Sequence, residues 1–457
     1  MSEPVSQPFR RSVRRRPARL VLSLGIAALF ASGGAVQAQS LAEVYQAARD
    51  YDATYLAARA QAESVRYQAE QAYALRRPKA ELNAAYTRSE NETASGIDRS
   101  NRSTQVGVGA RQPLFNRANG ATIEQAERSL QVATAELQEA EQDLIVRVAD
   151  AYFQVLAAQD ALAAAQANKK AISEQLASAK RNFEVGTATI TDTREAQARF
   201  DLATAQEIAA DNDLRTKQIA LDQLVGRTGV SPRPLPGSVA LPPVQPANVE
   251  EWVAQTDNAP TVRRARLGLE IAELETDKAR AGHLPTVDLV GQAGRNRLRG
   301  DPQSALPGAS GLGTSKSASV GVELKLPLFA GFAVQNRVKE TLLLEERSRN
   351  DLDAARRGVA QGTRQAFFGV QSKLAQVKAL EAAEASSQLA LEATQLGYKV
   401  GVRVNLDVLN AQTQLFNTRR DLAQARYDVL VNSLRLRQAA GVLVPEDVTP
   451  INGLLTP

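Results

Sequence analysis

Residues 183–201 read FEVGTATITDTREAQARFD, and residues 398–416 read YKVGVRVNLDVLNAQTQLF. Laid over one another at a shift of 215, they coincide at Val185/Val400, Gly186/Gly401, Asp192/Asp407, Ala196/Ala411 and Gln197/Gln412. The same shift extends the match outward through Ala151/Ala366, Phe153/Phe368, Val155/Val370, Asp213/Asp428 and Gly226/Gly441. Further upstream the shift becomes 207, pairing Glu43/Glu250, Tyr45/Trp252, Asp50/Asp257, Thr54/Thr261, Ala58/Ala265, Arg59/Arg266, Pro78/Pro285 and Leu82/Leu289. A unit of this length is far beyond the roughly 20–50 residues of solenoid repeats. The chain is therefore two similar halves within one architecture.

Proline placement defines what surrounds the two quoted stretches. None occurs between Pro113 and Pro232 or between Pro327 and Pro445, gaps of 118 and 117 residues. Because proline in a helix interior costs about 3 kcal/mol, each gap has room for an almost wholly helical tract. Apolar residues recur there in steps of seven: Leu130, Leu137, Leu144; Val148, Val155, Leu162; and Leu415, Leu422, Val429, Leu436. That period is a coiled-coil seam. Each tract is interrupted once, at Gly186 and Gly401, where glycine can adopt the left-handed conformation that ends a helix. A helix over 117–184 would be roughly 100 Å long, which suits a rod or a tube wall.

Short alternating segments flank the tracts. Residues 319–326 (SVGVELKL) place Val320, Val322, Leu324 and Leu326 on one face, and residues 104–110 (TQVGVGA) do the same with Val106, Val108 and Ala110. Segments 81–87 and 286–292 are weaker versions, and polar loops 88–103 and 295–318 join the pairs. Each half thus carries one hairpin with strands of about 8–10 residues. Alternating short strands with long polar tips are the pattern of a transmembrane β-barrel. Two hairpins cannot close a barrel, and open edges are not tolerated in lipid, so several chains must contribute.

Composition narrows the class further. Arg10, Arg11, Arg14, Arg15, Arg16 and Arg19 precede an apolar run, Leu20 to Val36, that ends in Val36-Gln37-Ala38, the layout of a cleaved export signal over 1–38. Its removal takes six of 55 basic and one of 50 acidic residues, leaving 49 of each. The basic pI of the whole chain therefore gives no support to nucleic-acid binding. Cysteine is absent, which excludes disulfides and thiolate metal sites. His283 is the single histidine and precedes an expected strand, and no phosphate-binding GxxxxGK[ST] run occurs. No enzyme, cofactor or metal site is expected.

The expected layout is an export signal (1–38), a first repeat (39–228) with a hairpin near 80–113 and a helical tract over 117–228, and a proline-rich connector (229–248). A second repeat (249–445) follows, with a hairpin near 285–327 and a helical tract over 331–441, and then a short tail (446–457).

With these elements in place the chain resembles the TolC-like outer-membrane channels, the exit ducts of drug-efflux pumps and type I secretion systems. The resemblance rests on LAEVYQAARDYD (41–52), ITDTREAQARFDLA (190–203), GHLPTVDLV (282–290), LPLFAGF (326–332) and YKVGVRVNLDVLNAQTQL (398–415), in that order and spacing. It implies a mainly α fold with a small β part. Three chains would each give four strands to a twelve-stranded outer-membrane barrel, and their coiled-coil helices would form a periplasmic α-helical tunnel. It also implies partners: a homotrimer, a periplasmic adaptor of the membrane-fusion type, and an inner-membrane pump or ATP-driven exporter in a Gram-negative cell. The cargo, whether drugs, metal ions or secreted proteins, is left open.

The resemblance also implies a gate at the inner tip of the tunnel. Its tie would join Asp192 to Tyr398 and Arg403, its narrowing acid would be Asp407, and Gly186 and Gly401 would form the tip turns. Asn410 stands one helical turn after Asp407, where related drug-pump ducts often have a second acid. An aspartate where a helix restarts also serves as a cap. The competing readings are a periplasmic coiled-coil adaptor without a pore and a closed spacer between the two membranes; one hairpin in each duplicated half argues against the adaptor.

Overall fold

The computed structural model of the chain describes residues 38–92, 98–237, 239–300 and 313–456. The expected export signal (but for Ala38) and the distal ends of both hairpin loops lie outside these residues. The first half runs α1 (Leu41–Tyr51), α2 (Ala53–Tyr73), β1 (Lys79–Glu92), β2 (Asp98–Phe115), α3 (Arg117–Glu184) and α4 (Ile190–Val225). The second runs α5 (Val249–Gln255), α6 (Pro260–Ala281), β3 (Thr286–Gly300), β4 (Gly313–Lys325), α7 (Ala333–Lys399) and α8 (Asn405–Ala439), followed by the short α9 (Val448–Asn452). The duplication is exact in architecture and nearly so in length: α3 and α7 have 68 and 67 residues, α4 and α8 have 36 and 35.

Local chemistry sets the boundaries. Ser40 and Glu43 close a capping box at the start of α1, and Asp52 accepts from the Tyr55 N–H to start α2 one residue after α1 ends. Pro260 occupies the first turn of α6, where its missing N–H costs nothing. Both long hairpins turn through the same device. Gly186 and Gly401 each have φ near 80°, with Thr187 N donating to Asn182 O and Val402 N donating to Gly397 O. This is a Schellman ending, and it needs the left-handed backbone that glycine adopts without strain.

Helix α3 is the spine of the chain. Its N-terminal part lies along α6, with Arg128 paired to Glu270 at 2.7 Å and Arg263 donating to Gln138 at 3.1 Å. Its C-terminal part lies along α4, where Lys169 meets Glu207 at 2.7 Å. Helices α7 and α8 pair likewise through Lys373–Asp428 and Arg419–Glu384, both at 2.9 Å. The heptad run Leu415, Leu422, Val429 and Leu436 is buried along α8, as its period requires.

The main core sits midway along the helices. Leu144, Val148, Tyr152, Phe153 and Leu156 of α3 pack with Tyr427, Leu430 and Leu434 of α8, with α1, and with Val448 and Ile451 of α9. Phe153 stacks on Tyr427 with centroids 5.7 Å apart. Buried Tyr152 donates to Gln39 O at 2.9 Å and accepts from Arg233 N at 2.8 Å, stapling the chain start and the proline-rich connector to α3. Away from this belt the hairpins carry only small buried clusters, consistent with a coiled coil rather than a globule.

The four strands form one antiparallel sheet in the order β1-β2-β3-β4, so β2 of the first half pairs with β3 of the second. They span 14, 18, 15 and 13 residues, longer than the expected 8–10. Much of the extra length lies toward the hairpin tips, where Arg, Ser, Asn and Thr replace the apolar alternation and remove the signal from which strands are recognised; β2 also runs on at its other end through residues 111–115. No described side chain of the sheet is buried. On one face the register aligns Leu82 with Val108, Ala84 with Val106, Leu289 with Val322, and Gly291 with Val320. The other face carries Asn83, Gly107, Gln292, Asn296 and Ser319, with Arg111 bridging Asp288 and Glu323 at 3.1 and 3.3 Å. Among the described residues, β1 and β4 pair with the chain on one side only.

Candidate functional site: the two helix-turn tips

The tip is assembled from the ends of α3 and α7 and the starts of α4 and α8. In the first repeat, Thr189 caps α4. Its Oγ1 accepts from Asp192 N at 3.2 Å, and Asp192 Oδ2 accepts from Thr189 N at 2.9 Å and from Thr189 Oγ1 at 2.8 Å. In the second repeat the position equivalent to Thr189 is Val404, which has no side-chain oxygen to offer. Asp407 is thereby left without a capping partner, and its Oδ2 faces Arg403 Nη1 at 3.6 Å. The two repeated aspartates thus have different employment. Asp192 is held by its own turn, while Asp407 is partly exposed beside a guanidinium.

Within the single chain, among the described residues, no hydrogen bond or ion pair joins Asp192 to Tyr398 or Arg403; the Thr189 cap engages Asp192 Oδ2. Other pairs connect the two hairpins. Asn182 Nδ2 of α3 donates to Tyr398 Oη of α7 at 3.2 Å. Arg199 Nη2 of α4 donates to Asn410 Oδ1 of α8 at 3.0 Å. Gln175 of α3 donates to buried Asn405 at the start of α8. Arg403 folds back over the last turn of α7, where a Cβ on Gly397 would lie 2.8 Å from its Cγ. Gln175, Asn182, Arg199 and Asn405 were not singled out by sequence. Single polar residues on polar helices give no local signal, and these pairings depend on the register between hairpins.

The turns present apolar side chains outward: Val185, Val400, Val402 and Val404 are all more than half exposed. Deeper in the helical body, at the core belt, Asp160 accepts from Tyr427 Oη at 2.7 Å. Burial pushes the Asp160 carboxyl above the usual carboxylate range, against the lowering effect of that bond. Asp52 is held below its usual range, first by its bond to Arg147, whose Nη1 lies 3.0 Å away. His283 is exposed in the turn between α6 and β3. Among the described residues no cluster of His, Cys, Asp and Glu has the arrangement of a metal site, and no helix is long and apolar enough to cross a membrane.

A duplicated coiled-coil chain whose halves join their hairpins into one sheet, with an apolar band on one face, is in class an outer-membrane channel chain. Comparison with known proteins agrees: the model of the outer membrane efflux protein family matches residues 44–227 and 255–442. The chain is 31% identical to outer membrane protein TolC of Vibrio cholerae over 437 residues, covering 93% of this chain and 96% of that one. It is 32% identical to the alkaline protease secretion protein AprF of Pseudomonas aeruginosa over 341 residues, 74% of this chain and 69% of that one. The crystal structure of VceC from Vibrio cholerae superposes with a TM-score of 0.73 at 20% identity, covering 88% of this chain and 96% of that one. The chain belongs to the outer membrane efflux protein family, and family membership makes it an outer-membrane efflux or secretion channel.

Proposed function

We propose that three copies of this chain form a continuous duct from the periplasm to the cell exterior, docking with a periplasmic adaptor and an inner-membrane pump or exporter. The observation that carries this reading is the sheet. Among the described residues it is open at both edges, has no buried side chain, and carries its main apolar band on one face. Water would not favour that face and lipid would not tolerate those edges. Three four-stranded sheets joined edge to edge make a closed barrel of twelve strands. The apolar faces then meet lipid, and the Gly, Ser, Asn and Gln faces line the lumen.

Helices α3 and α7 continue the wall as a tunnel of about 100 Å. The tips of α3–α4 and α7–α8 close it. Asp407, released from capping by Val404, supplies a carboxylate from each chain, and three around a narrow opening favour cations. Asn410 bonds Arg199, so it adds a tie rather than a second acidic ring. Arg403, Tyr398, Asn182 and Asp192 hold the turns in place, Asp192 through its cap. Because family relatives include both TolC and a protease-secretion protein, the cargo is set by the partner that docks.

Planar-bilayer recording of the purified mature protein tests this reading. It predicts cation-selective single channels. A protein that remains soluble without detergent and carries no current would refute it.

A further inference from the structure

The apolar face of the sheet ends abruptly toward the hairpin tips. The strand register places Arg88 opposite Arg102, and Arg102 opposite Arg299, so three arginines form one row across three strands. One row inward, Arg297 stands between Thr104 and Thr314, and in the next Arg295 is directly opposite Lys316. All six cations belong to the face that carries Leu82, Val108 and Val322, and all six are exposed. Among side chains described on that face, the only acid is Glu90, and it is paired with Arg88. The remaining five have no ion pair among the described residues.

Like charges directly opposite across strands destabilise a sheet. A solvated surface usually interleaves the two signs, as the helices of this chain do through Arg128–Glu270 and Lys373–Asp428. Here six cations fill three successive rows of one face between an apolar band and the rows of Glu90, Glu92 and Asp98 nearer the tips. That arrangement fits a partner which is anionic at a fixed depth and apolar below it.

We infer that this belt binds the phosphate groups of an anionic, phosphorylated lipid in the outer leaflet. The inference rests on the reading of the sheet as a barrel segment, which puts hairpin tips outside and this face against lipid. Guanidinium groups match phosphate through paired N–H donors, and desolvation at the headgroup level strengthens each contact. The acyl chains of the same lipid cover the Leu and Val band beneath. In the trimer the belt encircles the barrel and anchors its height in the membrane.

The test uses the full mature protein in detergent and a variant carrying Arg102→Gln, Arg295→Gln, Arg297→Gln and Arg299→Gln. The probe is diphosphorylated lipid A, with phosphatidylcholine and inorganic phosphate as controls, and retained lipid is measured by native mass spectrometry. Wild type is expected to bind lipid A at least tenfold more tightly than the variant and to show no such difference with phosphatidylcholine. Inorganic phosphate at matched concentration should not displace the lipid. Equal retention by both proteins overturns the inference, and full displacement by inorganic phosphate shows a free-ion site instead. Bilayer conductance separates the two levels. If both proteins conduct alike but retain lipid A equally, only the belt assignment fails. If neither inserts, the barrel reading fails with it.

Discussion

At the scale of single residues, one change between the repeats decides how two equivalent aspartates are used. Thr189 caps α4 and occupies Asp192, whereas Val404 leaves Asp407 to Arg403. Replacing Val404 with Thr should draw Asp407 into a capping box, a gain of about 1 kcal/mol for the helix start, and should loosen Arg403. Arg403→Ser removes that contact directly. Both variants should raise single-channel conductance, and the wild-type value in both would show that the contact does not restrain the tip. Asp160 makes a different prediction. Its folded-state pKa is raised by burial, so the native protein holds the proton more tightly than the unfolded chain. Stability contributed by the neutral group is therefore present below the unfolded pKa and lost as pH rises through the folded one. Asp160→Asn keeps an acceptor for Tyr427 without a buried charge. Its melting temperature should exceed wild type at about pH 8, and the difference should shrink toward about pH 4.

At the scale of elements, the helix ends show which parts of the fold are legible from sequence. Gly186 and Gly401 announce the turns, and proline-free tracts with heptad leucines announce α3, α4, α7 and α8, because backbone freedom and apolar period are local properties. Strand length is not legible toward the tips because the tip-proximal rows are Arg, Ser and Asn, whose alternation carries no apolar contrast. The ties Asn182–Tyr398 and Arg199–Asn410 were invisible for another reason: they depend on how hairpins align after folding. Two glycines of the second repeat, Gly401 and Gly441, separate conformational from packing demands. Gly441 ends α8 with φ 75°, and a Cβ there would overlap the backbone of Ala259 at the start of α6. Gly401 has φ 80°, but open space surrounds its Cβ position. Gly401→Ala should therefore cost about 1–2 kcal/mol of local strain. Gly441→Ala should lower the melting temperature by clearly more, read by circular dichroism at 222 nm. Equal losses would mean that the α8–α6 approach is softer than the structure implies.

At the scale of the whole molecule, the duplication makes sense as a way to build a tube. Each half supplies one β-hairpin and one long helical hairpin, on the proposed reading for the membrane and the tunnel respectively. The pairing of β2 with β3 fuses the halves into a single wall segment. The segment is complete in its core belt and incomplete in its sheet: the largest buried cluster gathers around Tyr152, Phe153 and Tyr427, while no described side chain of the sheet is buried. On the proposed reading, completion comes from further copies and from lipid. Electron microscopy of the detergent-extracted mature protein, with its mass in solution, tests this most directly. A three-fold particle with a stubby membrane-embedded end and a tail on the order of 100 Å is expected. A soluble monomer, or a two-fold rod with no detergent-bound end, would contradict it.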